Sequence, residues 1–237
     1  MLRITDARTG EPVVAAPARR GLTRVQAHAS GYDASSLRVL LVADVLVRTL
    51  ELGGTPVWAV LTGERDQAEL RAGATALGIH PFEDGRDLGA GVGEARILHV
   101  VGEAGPAPDG VRIAVAPVTG AVPADSAALR LALLSRPRTE PVGLDAAALG
   151  EAQDLLVRWR RAVAGWARRP SRPVPDEVRG RLRAAWEDDL DVPEVLRVLR
   201  GVEDAGPELP DGARFETYAY ADRLLGLDLT RDLGAPA

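Results

Sequence analysis

"SGYDASSLRVLLVADVLVRTLELGG" runs from Ser30 to Gly54. A polar turn opens it, an almost unbroken apolar run follows from Leu37 to Leu52, and Gly53-Gly54 closes it. That pattern predicts a helix with a glycine stop. Arg38, Asp44, Arg48 and Glu51 interrupt an otherwise apolar surface, so the helix should be well buried. The preceding "LTRVQAHA" reads as a strand. Strand, turn and helix together make the first half of a βαβ unit. The turn is where such units place anion-binding groups, because a helix N-terminus carries free N–H donors and positive partial charge. Here it holds Ala34, Ser35 and Ser36, with neither a Gly-rich loop nor a lysine.

Outward from this unit, "PVWAVL" (56–61) reads as a buried strand and "ERDQAELRAGATALG" (64–78) as a helix. "RILHVV" (96–101) and "VRIAVAPV" (111–118) are two more apolar strands, separated by the turn "GEAGPAPDG". "LRITDARTGEPVV" (2–14) folds back at Thr9-Gly10 as a hairpin. Helices between apolar strands favour a parallel sheet with helices packed on it. After Ala124 only helical patterns follow: 125–135, where Asp125 can cap the start, then 144–169, 176–190, 192–205 and 214–226. "PSRPVP" (170–175) interrupts them, and Asp191 with Glu194 fits a capping box. The expected fold is α/β. A Rossmann-like, HUP-type parallel sheet with helices spans residues 1–123, and a C-terminal helical bundle spans 124–237.

Composition removes several chemistries. The 237 residues include no cysteine, which excludes disulfides, thiolate zinc sites and thiol nucleophiles. All 29 basic residues are arginine. Schiff-base lysines, P-loop lysines and lysine general bases are therefore ruled out. The net charge of −5 gives no reason to expect sequence-independent binding to nucleic acid. No apolar run reaches the ~20 residues that span a bilayer, and the N-terminus lacks a signal-peptide core. A cytoplasmic protein without a membrane partner is the expectation.

Several segments resemble the cysteinyl-tRNA synthetase and mycothiol cysteine ligase group of class I synthetases. "LRITDARTGEP" is similar to that group's opening hairpin. Tyr32-Asp33 matches its "YD" pair, Ala34 looks like the ligase branch, and "ADVL" (43–46) matches its "FDVL". "ALRLALLS" (128–135), Leu149 to Trp159, "DDLDVPEVL" (188–196) and "ADRLLGLDL" (221–229) match its later helices in order. The resemblance implies the same fold class, with no anticodon-binding domain after the bundle, as in the ligase branch.

The departures bear on function. Ala27 stands where the group has a zinc-binding cysteine. "ASSL" (34–37) stands at its "HIGH" signature, and "APVTGAVPADS" (116–126) at its "KMSKS" loop. The resemblance implies a paralogue that lacks the ATP-activating motifs and acts as a non-catalytic binding or regulatory module. Two alternatives stay open: a divergent cysteine-adenylating ligase or nucleotidyltransferase, and a tRNA- or RNA-binding accessory protein. The candidate ligand-binding residues are Ser30, Ser35, Ser36 and Arg38, at the helix N-terminus. They would take ATP or an adenylate, the adenine nucleotide being the candidate partner beside a protein. No catalytic residue is assigned.

Bland readings are favoured for the remaining polar features. His28 and His99 lie on strands that could be neighbours, but with His80 they are the only histidines, so packed imidazoles are expected and no metal site. "GAGVG" (89–93) precedes a strand, the wrong context for a dinucleotide fingerprint. Asp188, Asp189 and Asp191 read as caps. Arg158, Arg160, Arg161, Arg168, Arg169 and Arg172 read as a solvated face beside buried Trp159 and Trp166. Of the macromolecular partners, tRNA is thus the less favoured.

Overall fold

The computed structural model describes residues 1–16, 22–63, 65–85, 96–103, 109–122 and 126–234. The expectations for Asp125 and for Gly89 to Gly93 fall outside these residues. The N-terminal hairpin consists of β1 (Arg3–Thr5) and β2 (Pro12–Val14), paired antiparallel.

The central sheet is built from β3 (Thr23–His28), β4 (Val57–Thr62), β5 (Glu83–Asp84), β6 (Arg96–Gly102) and β7 (Val111–Val115). Its five strands run parallel in the order β5-β4-β3-β6-β7. The chain steps outward from β3 in one direction, then returns to the other side of β3 and steps outward again. This is the doubly wound order, and it opens a crevice beyond the C-terminal ends of β3 and β6 where the direction switches. The α/β fold read from the sequence, Rossmann-like sheet first and helices after, is what the structure has.

Helix α1 (Ala34–Leu52) packs on the sheet against β3, β6 and β4. Asp33 caps it, its carboxylate accepting the Ser36 N–H at 2.6 Å. Fifteen of its residues are buried, including the charged Arg38 and Asp44. Gly53 and Gly54 end it, and Gly54 takes φ +78°, which a side chain would disfavour. Helix α2 (Gln67–Ala76) packs beside α1.

A short parallel pair, β8 (Val118–Thr119) with β9 (Val142–Gly143), leads into the helical half. There α3 (Ser126–Leu134), α4 (Ala146–Trp166), α5 (Asp176–Glu187), α6 (Val192–Glu203) and α7 (Asp211–Leu225) pack on one another. Trp159 and Trp166 share a face of α4, as their spacing predicts, and both meet the Tyr218 ring edge-on, with centroids 5.5 and 5.1 Å away. One buried apolar cluster runs from Ile4 and Leu41 through Leu98 to Trp159, Leu199 and Leu224. The hairpin docks on the helices through the Asp189 N–H to Arg3 carbonyl bond of 2.9 Å. Asp191 caps α6 by accepting the Glu194 N–H at 2.9 Å. The Glu194 carboxylate faces Arg181 and Arg197.

Among the described residues no helix is long and apolar enough to cross a membrane.

Candidate functional site

The switch point holds an open cavity of about 710 Å³. Its floor comes from the C-terminal ends of four strands: His28 of β3, Thr62 of β4, Gly102 of β6 and Val115 of β7. The α1 N-terminus supplies Asp33, Ser35, Ser36 and Val39, and the loop after β3 supplies Ser30. Charge in the described lining comes from Asp33, Glu103 and Arg65. Two carboxylates and one guanidinium make a wall that does not favour a polyanion.

The four residues read from the sequence separate here. Ser30, Ser35 and Ser36 line the cavity; Arg38 does not. Ser35 is committed to the backbone: its Oγ accepts the Val118 N–H at 2.9 Å and faces the Val118 carbonyl at 3.4 Å. The Ser36 N–H is taken by Asp33. Ser30 is exposed at the cavity rim. Arg38 lies one turn into α1 with 1% of its surface exposed. Its guanidinium donates to the carbonyls of Ala116 (2.9 Å), Glu140 (2.6 Å) and Pro137 (2.7 Å). Burial lowers its pKa to about 10, the Glu140 carboxylate opposing. It pins the segment after β7 and the α3–β9 connection to α1. The cap and the guanidinium lock thus occupy groups that a phosphate would otherwise use.

Sequence reasoning raised the adjacency of His28 and His99 but did not place it at a site. His28 Nε2 and His99 Nδ1 lie 3.0 Å apart, and His99 Nε2 is 3.3 Å from the Asp109 carbonyl oxygen. Register explains this: His99 stands opposite Gln26, on the same sheet face as His28 and one pleat behind it. Burial lowers the His28 pKa to about 4, with His99 adding to the effect, and burial lowers that of His99 too. Both rings are therefore neutral at pH 7.

The resemblance implies zinc, and the donors here do not fit it. Ala27 has no ligand atom, and the described residues form no cluster of three or more His, Asp or Glu able to hold a metal. Two imidazoles alone fall short of a structural zinc site.

Helix α4 ends at Trp166, so Arg168, Arg169 and Arg172 lie beyond it, and the arginines of the helix and the segment after it do not form one free face. Arg160 is buried and donates to the carbonyls of Asp228 and Leu227. Arg158 pairs with Glu203 at 2.9 Å, and Arg169 lies 4.0 Å from Asp211.

No family profile matches the chain. Curated relatives do. The L-cysteine:1D-myo-inositol 2-amino-2-deoxy-α-D-glucopyranoside ligase of Parafrankia sp. (strain EAN1pec) is 40% identical over 114 residues, covering 45% of this chain and 25% of the relative. The ligase of the same name from Streptosporangium roseum is 37% identical over 109 residues, 45% of this chain and 26% of the relative. The chain thus spans about a quarter of the length of the curated relatives it matches. It is a relative of the cysteinyl-tRNA synthetase and mycothiol cysteine ligase group.

Proposed function

We propose that this synthetase-like chain is a binding module. Its switch-point cavity takes a small molecule of nucleoside type, and it does not activate ATP. One observation carries the reading: the cavity is open and roomy, yet Arg65 is the one cation in its described lining, which also holds the carboxylates Asp33 and Glu103. Adenylate formation needs the α-phosphate in line with the attacking carboxylate and the pyrophosphate charge stabilised as it leaves. These 237 residues contain no lysine for that work, and Arg38 is held by three carbonyls. Each missing donor costs about 3–4 kcal/mol, or 10²–10³ in rate, by analogy with oxyanion-site deletions. Such losses do not simply add.

A second reading, a divergent cysteine ligase, draws on the ligase names of the relatives. Two measurements separate the two. Calorimetry with adenosine, AMP, ATP and a non-hydrolysable cysteinyl-adenylate analogue should show heat with adenosine or the analogue and none with ATP. Cysteine-dependent pyrophosphate exchange should stay at background. Exchange within tenfold of an ordinary synthetase would replace the binding-module reading with the ligase one.

A further inference from the structure

We infer that His28 is the ligand-reading side chain of the switch-point cavity: its Nδ1 is a fixed acceptor for an N–H or O–H of an amine- or hydroxyl-bearing small molecule. The inference rests on the reading of the cavity as a small-molecule site and specifies the chemistry that site selects.

The tautomers follow from the hydrogen-bond chain. A backbone carbonyl only accepts, so the His99 nitrogen facing Asp109, Nε2, carries hydrogen. In a neutral ring Nδ1 of His99 is then bare. His28 Nε2, 3.0 Å from that bare nitrogen, must donate to it. His28 Nδ1 is left with a lone pair and, among the described residues, no protein partner. Hydrogen-bond logic fixes this assignment.

The chain is anchored at its far end. Arg8 of the N-terminal hairpin donates to the Gly110 carbonyl, and its Nη1 lies 3.7 Å from the Asp109 carboxylate. Gly110 leaves room for the His99 ring: a Cβ there would sit 2.9 Å from His99 Cδ2. His99 is 1% exposed and cannot reach a ligand itself. It is a positioning residue, and His28 is the one of the pair that lines the cavity.

The surroundings select the ligand's charge. Asp33 and Glu103 share the lining with a single described cation, Arg65. Neutral or cationic donors therefore fit this acceptor, and polyanions do not.

The imidazole ¹⁵N resonances of the free protein test the tautomers first. Both His28 and His99 should carry hydrogen on Nε2, and an Nδ1–H on His28 would overturn the inference. Titration with adenosine and with D-glucosamine tests the ligand class. At least one should move the His28 Nδ1 resonance, and His28→Phe should weaken its binding about tenfold. His99→Gln should retain affinity, because its amide can both accept from His28 and donate to Asp109, whereas His99→Phe should lose it. This rescue distinguishes positioning from packing. Thermal melts check that each variant folds, and the resonance shift needs no variant. Saturable binding with an unmoved His28 resonance and a normal His28→Phe would overturn this inference while the small-molecule site stands. Absence of heat with every probe, AMP and the adenylate analogue included, would overturn both.

Discussion

Arg130 and Asp44 form a salt bridge of 2.8 Å with their side chains 2% and 0% exposed. Asp44 belongs to α1 and Arg130 to α3, so the pair joins the sheet layer to the helical half. Arg130 also donates to the carbonyls of Leu225 (2.6 Å) and Leu77 (2.9 Å), tying in the ends of α7 and α2. Gly226 accommodates it with φ +58°, since a Cβ there would lie 2.8 Å from the guanidinium. Asp44 is further bonded by Arg48 at 2.9 Å and by His80 Nδ1 at 3.1 Å. Breaking a buried pair from one side leaves an uncompensated charge, at about 3–5 kcal/mol. Arg130→Met should therefore destabilise by about that amount in urea unfolding. Asp44→Leu combined with Arg130→Met should lose less than the two single changes added together.

The same carboxylate predicts acid sensitivity. Burial opposes ionisation of Asp44, but the His80, Arg130 and Arg48 contacts outweigh it and hold its pKa well below the usual carboxylate range. A lowered carboxylate pKa gives stability that is present above its unfolded value and lost as pH falls through the folded one. The loss therefore begins below about pH 4, the unfolded value for aspartate. Asp44→Asn should be less stable at pH 7 and show a flatter acid limb.

The histidine pair acts at higher pH. Burial first and His99 second lower the His28 pKa from its ordinary 6.5 to about 4. Between those values the unfolded chain binds more protons than the folded one. Stability from this group is complete above pH 6.5 and declines as pH falls towards 4. Midpoints of urea unfolding from pH 7.5 to 4.5 should drop, and His28→Gln should reduce the slope. An unchanged slope in that variant would assign the decline to other groups.

The segments that resemble the synthetase group turn out to be structural joints. Asp44 lies in "ADVL" and Arg130 in "ALRLALLS". Asp189 of "DDLDVPEVL" accepts the Thr5 N–H at 2.9 Å and pairs with Arg138. Asp222 of "ADRLLGLDL" accepts the Leu227 and Leu229 N–H groups at 2.7 and 2.9 Å. That is why fold class and element order were legible: periodicity, caps and joints are local or packed patterns. The site was less legible. A charged residue just past a polar turn reads as ligand-facing. The three carbonyls that hold Arg38 come from residues 78, 99 and 102 positions away. The His28–His99 contact depends on strand order, because its partners are 71 residues apart and meet only when β6 lies beside β3.

Asp189 carries φ +54° and Leu190 φ +58°, both in the left-handed region. The backbone turns sharply there so that the Asp189 carboxylate reaches Thr5 and Arg138. Asp189→Asn keeps an acceptor and tolerates this conformation, so it should cost under about 1 kcal/mol. Asp189→Ala removes the acceptor from a part-buried N–H and a buried guanidinium, and should cost about 2 kcal/mol. Limited proteolysis should then cut the 1–16 segment faster, since the Asp189 carboxylate helps hold it.

If the cavity takes the small molecule proposed above, the cap of α1 is the most direct handle on that molecule's charge. Asp33 accepts the Ser36 N–H at 2.6 Å and also lines the cavity. Its carboxylate thus satisfies the helix end and occupies, with a negative charge, the position where a phosphate would otherwise be drawn. Asp33→Ser keeps a capping oxygen and removes the charge, and serine caps about as well as aspartate. Stability should change by less than about 1 kcal/mol. AMP binding should strengthen about three- to tenfold at low salt, and raising the salt should erase the gain as screening shortens the reach of the helix end. Adenosine binding should not change, because it brings no charge to that position. Asp33→Ala is the control: it also removes the charge but loses the cap, at about 1 kcal/mol in thermal unfolding. An AMP affinity indifferent to Asp33→Ser would mean that no phosphate approaches this helix end.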